Sequence, residues 1–232
     1  MKHKAILISA VAVLAAVAIA GTQAVALKRV VKAGDKATYA MKLNLDFQGT
    51  AVDVTFDSIS TITKVNDDGS HVAVEENKNM VVMVGGQEMA GAGEDETITT
   101  TYAKDGSIIK IEASVSTGDE YRLANLSATL WPTKPVDVKS KWEGTSKGDS
   151  AKGTFDVAHS YEVLAREKLM GYETFKVAYS TKETGGGTAS STGTIWLDLK
   201  SGLPIKVEGE MKSVPIQGVP VDATFVLTLK KP

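Results

Sequence analysis

The sequence predicts an all-β protein with one short helix, in which a long antiparallel sheet curls into a half-barrel or open barrel. Three observations support this fold class. Apolar and polar residues alternate with a period of two through most of the chain. Short turns rich in glycine, aspartate and asparagine separate these runs, which favours antiparallel pairing. A content of 43% hydrophobic and 23% charged residues is typical of a chain that buries a core.

The first 26 residues are typical of a secretory signal peptide. Lys2 and Lys4 precede an uncharged stretch over residues 5–21, and Ala24-Val25-Ala26 provides a cleavage site. Cleavage there leaves one β-rich domain over residues 27–232. A retained membrane anchor is the alternative, because the stretch is close to the lower length limit for spanning a bilayer. Since the chain has no cysteine, we expect a periplasmic or secreted protein of a bacterial cell envelope.

The first long strand follows this segment. Its alternating apolar positions are Tyr39, Met41, Leu43, Leu45 and Phe47. After a turn at Gly49 the return strand begins, and its apolar residues change phase beyond residue 56. We attribute this change to a bulge near Asp57 and Ser58. Further strands are expected around residues 72–84, 98–102 and 109–115.

One helix is predicted near residues 119–130, at the middle of the exported chain. Asp119 could cap its first turn, and Trp131-Pro132 ends it. Alternation then returns, which brings the total to about a dozen strands. These later strands are expected around residues 155–163, 175–179, 195–199, 205–211 and 221–229.

Residues 30–118 and 135–230 are interpreted as two pseudo-halves joined by residues 119–134. Residues 102–112 align on residues 198–208 at a constant offset of 96, and residues 48–56 match residues 217–225 at six of nine positions. The two similarities have different offsets. Chance similarity between amphipathic strands therefore remains the alternative.

Few residues suited to catalysis or metal binding are present. The histidines are His3, His71 and His159, and none has the short spacing of zinc ligands. Residues 144–148 fit the pattern G-x-S-x-G but lack its strand–turn–helix context, so we interpret them as a hairpin tip and expect Ser146 to lie far from any histidine. We expect no enzyme, catalytic residue, metal or cofactor. A formal charge of -2 also argues against a nucleic-acid partner.

Three segments resemble exported bacterial β-rich proteins of unknown function. Residues 131–142 are similar to their P-x-x-P-V-x-V-G-D-x-W segment, although Lys139-Ser140 stands where the pattern has Gly-Asp. Residues 161–172 are similar to their Y-x-V-x-G-x-E-x-x-x-G segment. Residues 195–206 resemble a W-x-D-x-x-x-G-L-P hairpin that also occurs in lipoprotein-carrier half-barrels of the LolA and LppX type. The resemblance implies a sheet curled around an apolar hollow, which holds acyl chains in those carriers.

Together these features predict a non-catalytic envelope protein that binds a hydrophobic or amphipathic ligand, such as a lipid or the acyl chains of a lipoprotein, on the concave face of the sheet. After cleavage it would not be an integral membrane protein. The alternative is a structural or protein-interaction module with a filled core and no ligand. The candidate ligand-lining residues are Tyr39, Met41, Leu43, Phe56, Phe155, Tyr161, Val207 and Phe225.

Overall fold

The computed structural model describes residues 23–47, 49–89, 96–113, 119–149, 153–216 and 218–230. These ranges contain twelve strands and one helix, about as many strands as predicted. In chain order they are β1 (Lys36–Phe47), β2 (Thr50–Val65), β3 (His71–Val84), β4 (Gln87–Glu88), β5 (Glu96–Tyr102), β6 (Ile108–Ala113), α1 (Glu120–Ser127), β7 (Lys141–Ser146), β8 (Val157–Leu169), β9 (Tyr172–Glu183), β10 (Ser190–Asp198), β11 (Pro204–Ile216) and β12 (Val219–Leu229).

All the described strands belong to one antiparallel sheet. Eleven of them follow each other in the order β6-β5-β3-β2-β1-β12-β11-β10-β9-β8-β7, and the short β4 pairs with β3. The sheet is nearly closed into a barrel with an open seam, which lies between its two edge strands, β6 and β7. The predicted fold class is confirmed.

The two halves of the chain form two successive meanders, β1 to β6 and β7 to β12. They join where β1 pairs with β12, from Tyr39 opposite Leu229 to Asp46 opposite Asp222. The hairpins β1–β2 and β11–β12, which carry one of the internal sequence similarities, are therefore neighbours in the sheet. A common origin of the halves stays a prediction.

The predicted bulge near Asp57 and Ser58 is confirmed in position but not in strand, because the β2–β3 ladder shifts register between Thr55 and Asp57. β2 pairs with β1 in continuous register over residues 50–61. The extra residue lies instead on β3, near Asn79, which has a φ of 56°. β2 keeps its alternation as far as Ile62, where the ladder shifts register again, and Ser58 and Ser60 face the inside of the barrel. The phase change in the sequence therefore marks a polar stretch of the inner wall.

The predicted helix is confirmed, although α1 ends at Ser127 rather than at residue 130. Asp119 occupies the N-cap position, but its side chain does not cap the helix. Its carboxylate instead accepts a hydrogen bond of 3.0 Å from the N–H of Gly218. Leu126 is fully buried against Val157 and Val214, on the inner faces of β8 and β11. The helix therefore lies against the inside of the barrel wall.

The segment after α1 fills one side of the barrel. Leu130 and Val136 pack in one cluster with Tyr161 and Phe175 on the inner faces of β8 and β9. Val25, near the start of the described chain, pairs with Val136 through two backbone hydrogen bonds of 2.8 and 2.9 Å. This side of the interior is a packed core.

The predicted signal peptide falls mostly outside the described residues and stays a prediction. Within the described ranges, no helix is both long and apolar enough to cross a membrane.

Candidate functional site

The rest of the barrel interior is a cavity of about 1070 Å³. Its walls are mainly the inner faces of β1, β2, β3, β5, β11 and β12, with a few residues from β6, β8, β9 and β10. α1 and the residues that follow it close one side. The volume matches the upper end of ligand-binding pockets, which typically measure about 300–1,000 Å³. The curled sheet therefore encloses a space large enough for a small ligand.

Six of the eight candidate residues lie on the wall of this cavity. They are Tyr39, Met41, Phe56, Tyr161, Val207 and Phe225. Leu43 faces the inside too but packs against Leu45 and Val221 outside the cavity. Phe155 precedes β8, and the Arg122 guanidinium lies over its ring, 5.1 Å from the centroid, away from the cavity. Contact of the six residues with a ligand stays a prediction.

One side of the cavity wall is apolar. It is formed mainly by β1, β11, β12 and α1. Its side chains include Met41, Leu123, Leu126, Leu203, Val207, Met211, Phe225 and Leu227. A surface of this kind favours hydrocarbon, because burying apolar area releases about 25 cal/mol per Å².

The other side of the cavity carries polar side chains that the sequence prediction missed. This polar wall consists of Ser58 and Ser60 on β2, Glu75 and Asn77 on β3, and Thr100 on β5. Ser60 lies directly opposite Glu75 in the β2–β3 ladder. The signal in the sequence was the interrupted apolar alternation of β2. From the sequence alone, polar residues that face inward cannot be distinguished from residues that face solvent.

Glu75 is the charged residue of the polar wall. Burial raises the pKa of its carboxyl group. Within the described part of the chain, the Glu75 side chain has no hydrogen-bond or ion-pair partner. Every side-chain nitrogen or oxygen that is fully buried in this part of the chain does have a hydrogen-bond partner. The carboxylate oxygens of Glu75 therefore open onto the cavity. It also belongs to no group of three or more histidine and acidic side chains, among the residues described, that could hold a metal.

Three aromatic side chains near Glu75, those of Tyr39, His71 and Tyr102, are uncharged at neutral pH. Burial is the main cause that raises the pKa values of the Tyr39 and Tyr102 phenols, and the Glu75 carboxylate raises both further. His71 stacks on Tyr102 with the ring centroids 5.3 Å apart. Burial lowers the pKa of His71, and the nearby Arg29 guanidinium lowers it further. The cavity is thus lined by neutral rings beside a single inward carboxylate on β3.

A buried ion pair fixes α1 to the barrel wall. Nε and Nη2 of Arg122 donate to the two carboxylate oxygens of Glu183, each at 2.7 Å. The Glu183 side chain is 1% exposed and that of Arg122 19%. Glu183 also accepts a hydrogen bond of 3.1 Å from the N–H of Ala189, and its bonds to Arg122 raise the pKa of the guanidinium. The pair holds Leu123 and Leu126 at the cavity wall.

The expected long distance between Ser146 and a histidine is wrong. Ser146 Oγ lies 2.9 Å from Nε2 of His159, because the neighbouring strands β7 and β8 turn both side chains inward. Nδ1 of His159 lies 3.4 Å from the hydroxyl of Tyr161. That hydroxyl donates to the carbonyl oxygen of Ala128 and accepts from the N–H of Leu130, both at 3.0 Å.

This arrangement contains only part of a catalytic triad. Nδ1 of His159 faces a phenol, whereas a triad places a carboxylate there. Burial lowers the pKa of His159 to about 4, far from the near-neutral value that suits a general base. Ser146 and His159 are only 3% and 2% exposed, and neither lines the large cavity. The geometry is that of a buried hydrogen-bond network that ties β7 and β8 to the segment after α1.

Comparisons with known proteins give distant structural matches. No family model and no curated protein sequence matches the chain. It is similar to a DUF1329 family protein from Desulfovibrio piger, at 8% identity and a TM-score of 0.24 over 85% of each chain. It is also similar to a domain described as an outer membrane lipoprotein-sorting protein from Vibrio parahaemolyticus, at 11% identity and a TM-score of 0.26, over 84% of this chain and 83% of that one. At these TM-scores neither match bears on what this chain binds.

Proposed function

We propose that this protein is a non-catalytic binding protein of the bacterial cell envelope, which holds a lipid or the acyl chains of a lipoprotein in the barrel cavity. The observation that carries the proposal is the cavity of about 1070 Å³ with its apolar side. A purely structural module would gain from filling this space, because protein interiors are close-packed and lost contacts weaken the fold. Export is supported by the basic, then uncharged, N-terminal sequence.

The apolar wall provides the free energy for such binding. Each buried methylene group contributes about 0.8 kcal/mol, so a chain of ten contributes about 8 kcal/mol before the loss of ligand motion is subtracted. That loss offsets about 5 kcal/mol, so a chain of ten methylene groups would bind only in the millimolar range. A chain of sixteen contributes about 13 kcal/mol and would bind in the micromolar range. A carrier that must release its ligand suits this range.

Mass spectrometry of solvent extracts from the natively purified protein tests the proposal. We expect a lipid to co-purify with the wild-type protein. In a double variant, Ser58→Phe with Ser60→Phe, two rings occupy the cavity, and bound lipid should fall at least fivefold. The matched control replaces the outward-facing Ile59 and Thr61 of the same strand by Phe, and should keep its lipid.

Thermal unfolding verifies that both double variants fold. The proposal is refuted if the wild-type protein carries no lipid and also fails to bind a fluorescent fatty acid. It is equally refuted if the folded inward variant keeps the wild-type amount of lipid.

A further inference from the structure

We infer that the ligand carries a protonated amine and that the carboxylate of Glu75 binds this cation inside the cavity. The inference rests on the proposed function and names the polar part of the ligand. Glu75 lies on β3, between β2 and β5, with Ser60 and Ile98 as its ladder partners. It is therefore part of the inner wall and not of a free sheet edge.

A comparison with Glu183 shows what Glu75 lacks. Both are glutamates on inner faces of the barrel, but Glu183 accepts hydrogen bonds from Arg122 and Ala189. In the described part of the chain, no side chain or backbone group donates to Glu75. A carboxylate removed from bulk water without a partner is unfavourable. A ligand cation would supply the partner that the fold does not.

The charges on the cavity wall favour a cation over an anion. Among the described residues, the acidic ones on the wall are Asp35, Glu75, Asp119 and Glu120, and the basic ones are Arg29 and Lys36. Groups of both signs already have partners: Arg29 donates from Nη1 to the carbonyl oxygens of Val30 and Ser201, and the carboxylates of Asp35 and Asp119 accept from the N–H groups of Lys32 and Gly218. The wall nevertheless carries four acidic and two basic side chains. A positive group therefore finds more compensation on this wall than a negative one.

The neighbours of Glu75 suit an ammonium group, which has three hydrogen-bond donors. Ser60 lies directly opposite Glu75 in the β2–β3 ladder, and Asn77 lies two residues after Glu75 on the same face of β3. The side-chain oxygens of Ser60 and Asn77 can accept hydrogen bonds from the ammonium N–H groups that do not bind the carboxylate. Tyr39 and Tyr102 line the same cavity, and aromatic rings attract cations. Burial raises the pKa of Glu75, and a bound cation would lower it again.

Three ligands with the same ten-carbon chain separate the head-group effect from the effect of the hydrocarbon: decylamine, decanol and decanoate. Trp131 lines the cavity, so tryptophan fluorescence can follow each titration at neutral pH. We expect the wild-type protein to bind decylammonium at least tenfold more tightly than decanoate, with decanol between them. Glu75→Gln should remove this preference and leave the affinity for decanol within about threefold.

The matched control is Glu76→Gln. Glu76 is the next residue on β3, and its carboxylate pairs with Lys78 at 3.2 Å, with nearly half of each side chain exposed. This control should keep the wild-type preference, and unfolding temperatures verify that both variants fold. If the wild-type protein binds decanol but shows no preference for the amine, or if Glu75→Gln keeps that preference, this inference is wrong and the proposed function stands. If the wild-type protein carries no co-purified lipid and binds none of the three ligands, both are wrong.

Discussion

The ion pair between Arg122 and Glu183 allows a direct test of how α1 is held inside the barrel. Glu183→Gln removes the carboxylate that accepts two hydrogen bonds from Arg122 and one from Ala189. The amide can accept fewer of these bonds and turns an N–H group towards the guanidinium. The positive charge of Arg122 then remains largely buried, with Asp119 as its remaining acidic neighbour.

The expected loss of stability follows from the burial of the two side chains. Removing one partner of a buried ion pair typically destabilises a protein by about 3–5 kcal/mol. Because the Arg122 side chain is 19% exposed, water can partly hydrate it, and we expect about 3 kcal/mol. For a domain of about 150–250 residues, this corresponds to a fall in the unfolding temperature of about 6–12 °C.

Thermal unfolding followed by circular dichroism measures this loss, with Glu162→Gln as the control. Glu162 pairs with Lys141 at 3.0 Å, but the two side chains are 40% and 69% exposed. Exposed pairs contribute about 0–1 kcal/mol, so the control should stay within about 4 °C of the wild type. Hydrogen exchange should also accelerate in α1 of Glu183→Gln. If both variants unfold at the same temperature, the ion pair does not hold the helix.

Two further predictions concern His159 and the turn between β5 and β6. Burial lowers the pKa of His159 to about 4, whereas an unfolded histidine titrates near 6.5, so the unfolded chain binds more protons between these values. The contribution of His159 to the free energy of unfolding should therefore be complete above about pH 6.5 and fall by up to about 3 kcal/mol towards pH 4. In urea unfolding, His159→Gln should reduce this pH dependence. If the dependence is unchanged, His159 is not the group that causes it. Gly106 has a φ of 89°, and a Cβ there would collide with the carbonyl oxygen of Thr129, whereas Gly34, with a φ of 91°, has open space around it. In the same assay, Gly106→Ala should lower the free energy of unfolding by more than about 2 kcal/mol and Gly34→Ala by about 1 kcal/mol. Equal losses would show that the segment after α1 does not pack on this turn.

The sequence predicted the curled antiparallel sheet because a period of two is a local signal. The helix was predictable because its pattern is also local, although Pro132 set its predicted end too late and α1 ends at Ser127. The residues that line the cavity were harder to predict. Alternation shows which face of the sheet a residue occupies, but it does not show whether that part of the barrel interior is open or filled. Leu43 is on the correct face of β1, yet it packs in a filled part of the interior.

The polar wall and the Ser146–His159 contact depend on information that a single strand does not carry. Glu75 and its polar neighbours look like surface residues until the neighbouring strands place them inside. The distance between Ser146 and His159 depends on the register of β7 with β8, in which Gly144 lies opposite His159. Ser146 lies two pairs further along this ladder, opposite Val157, and the imidazole reaches its hydroxyl along the inner face of the two strands.

The central segment of the chain explains how an open sheet can enclose both a packed core and a cavity. Strand edges expose unpaired backbone groups, so the seam between β6 and β7 needs cover. The N–H of Trp131 donates to the carbonyl oxygen of Asp105, beside β6, at 2.8 Å. The indole N–H of Trp142 on β7 donates to the carbonyl oxygen of Leu130, also at 2.8 Å. Residues 130 and 131 thus connect the two sides of the seam. α1 and the residues that follow it cross the interior to reach the seam, and they separate the packed side of the barrel from the cavity.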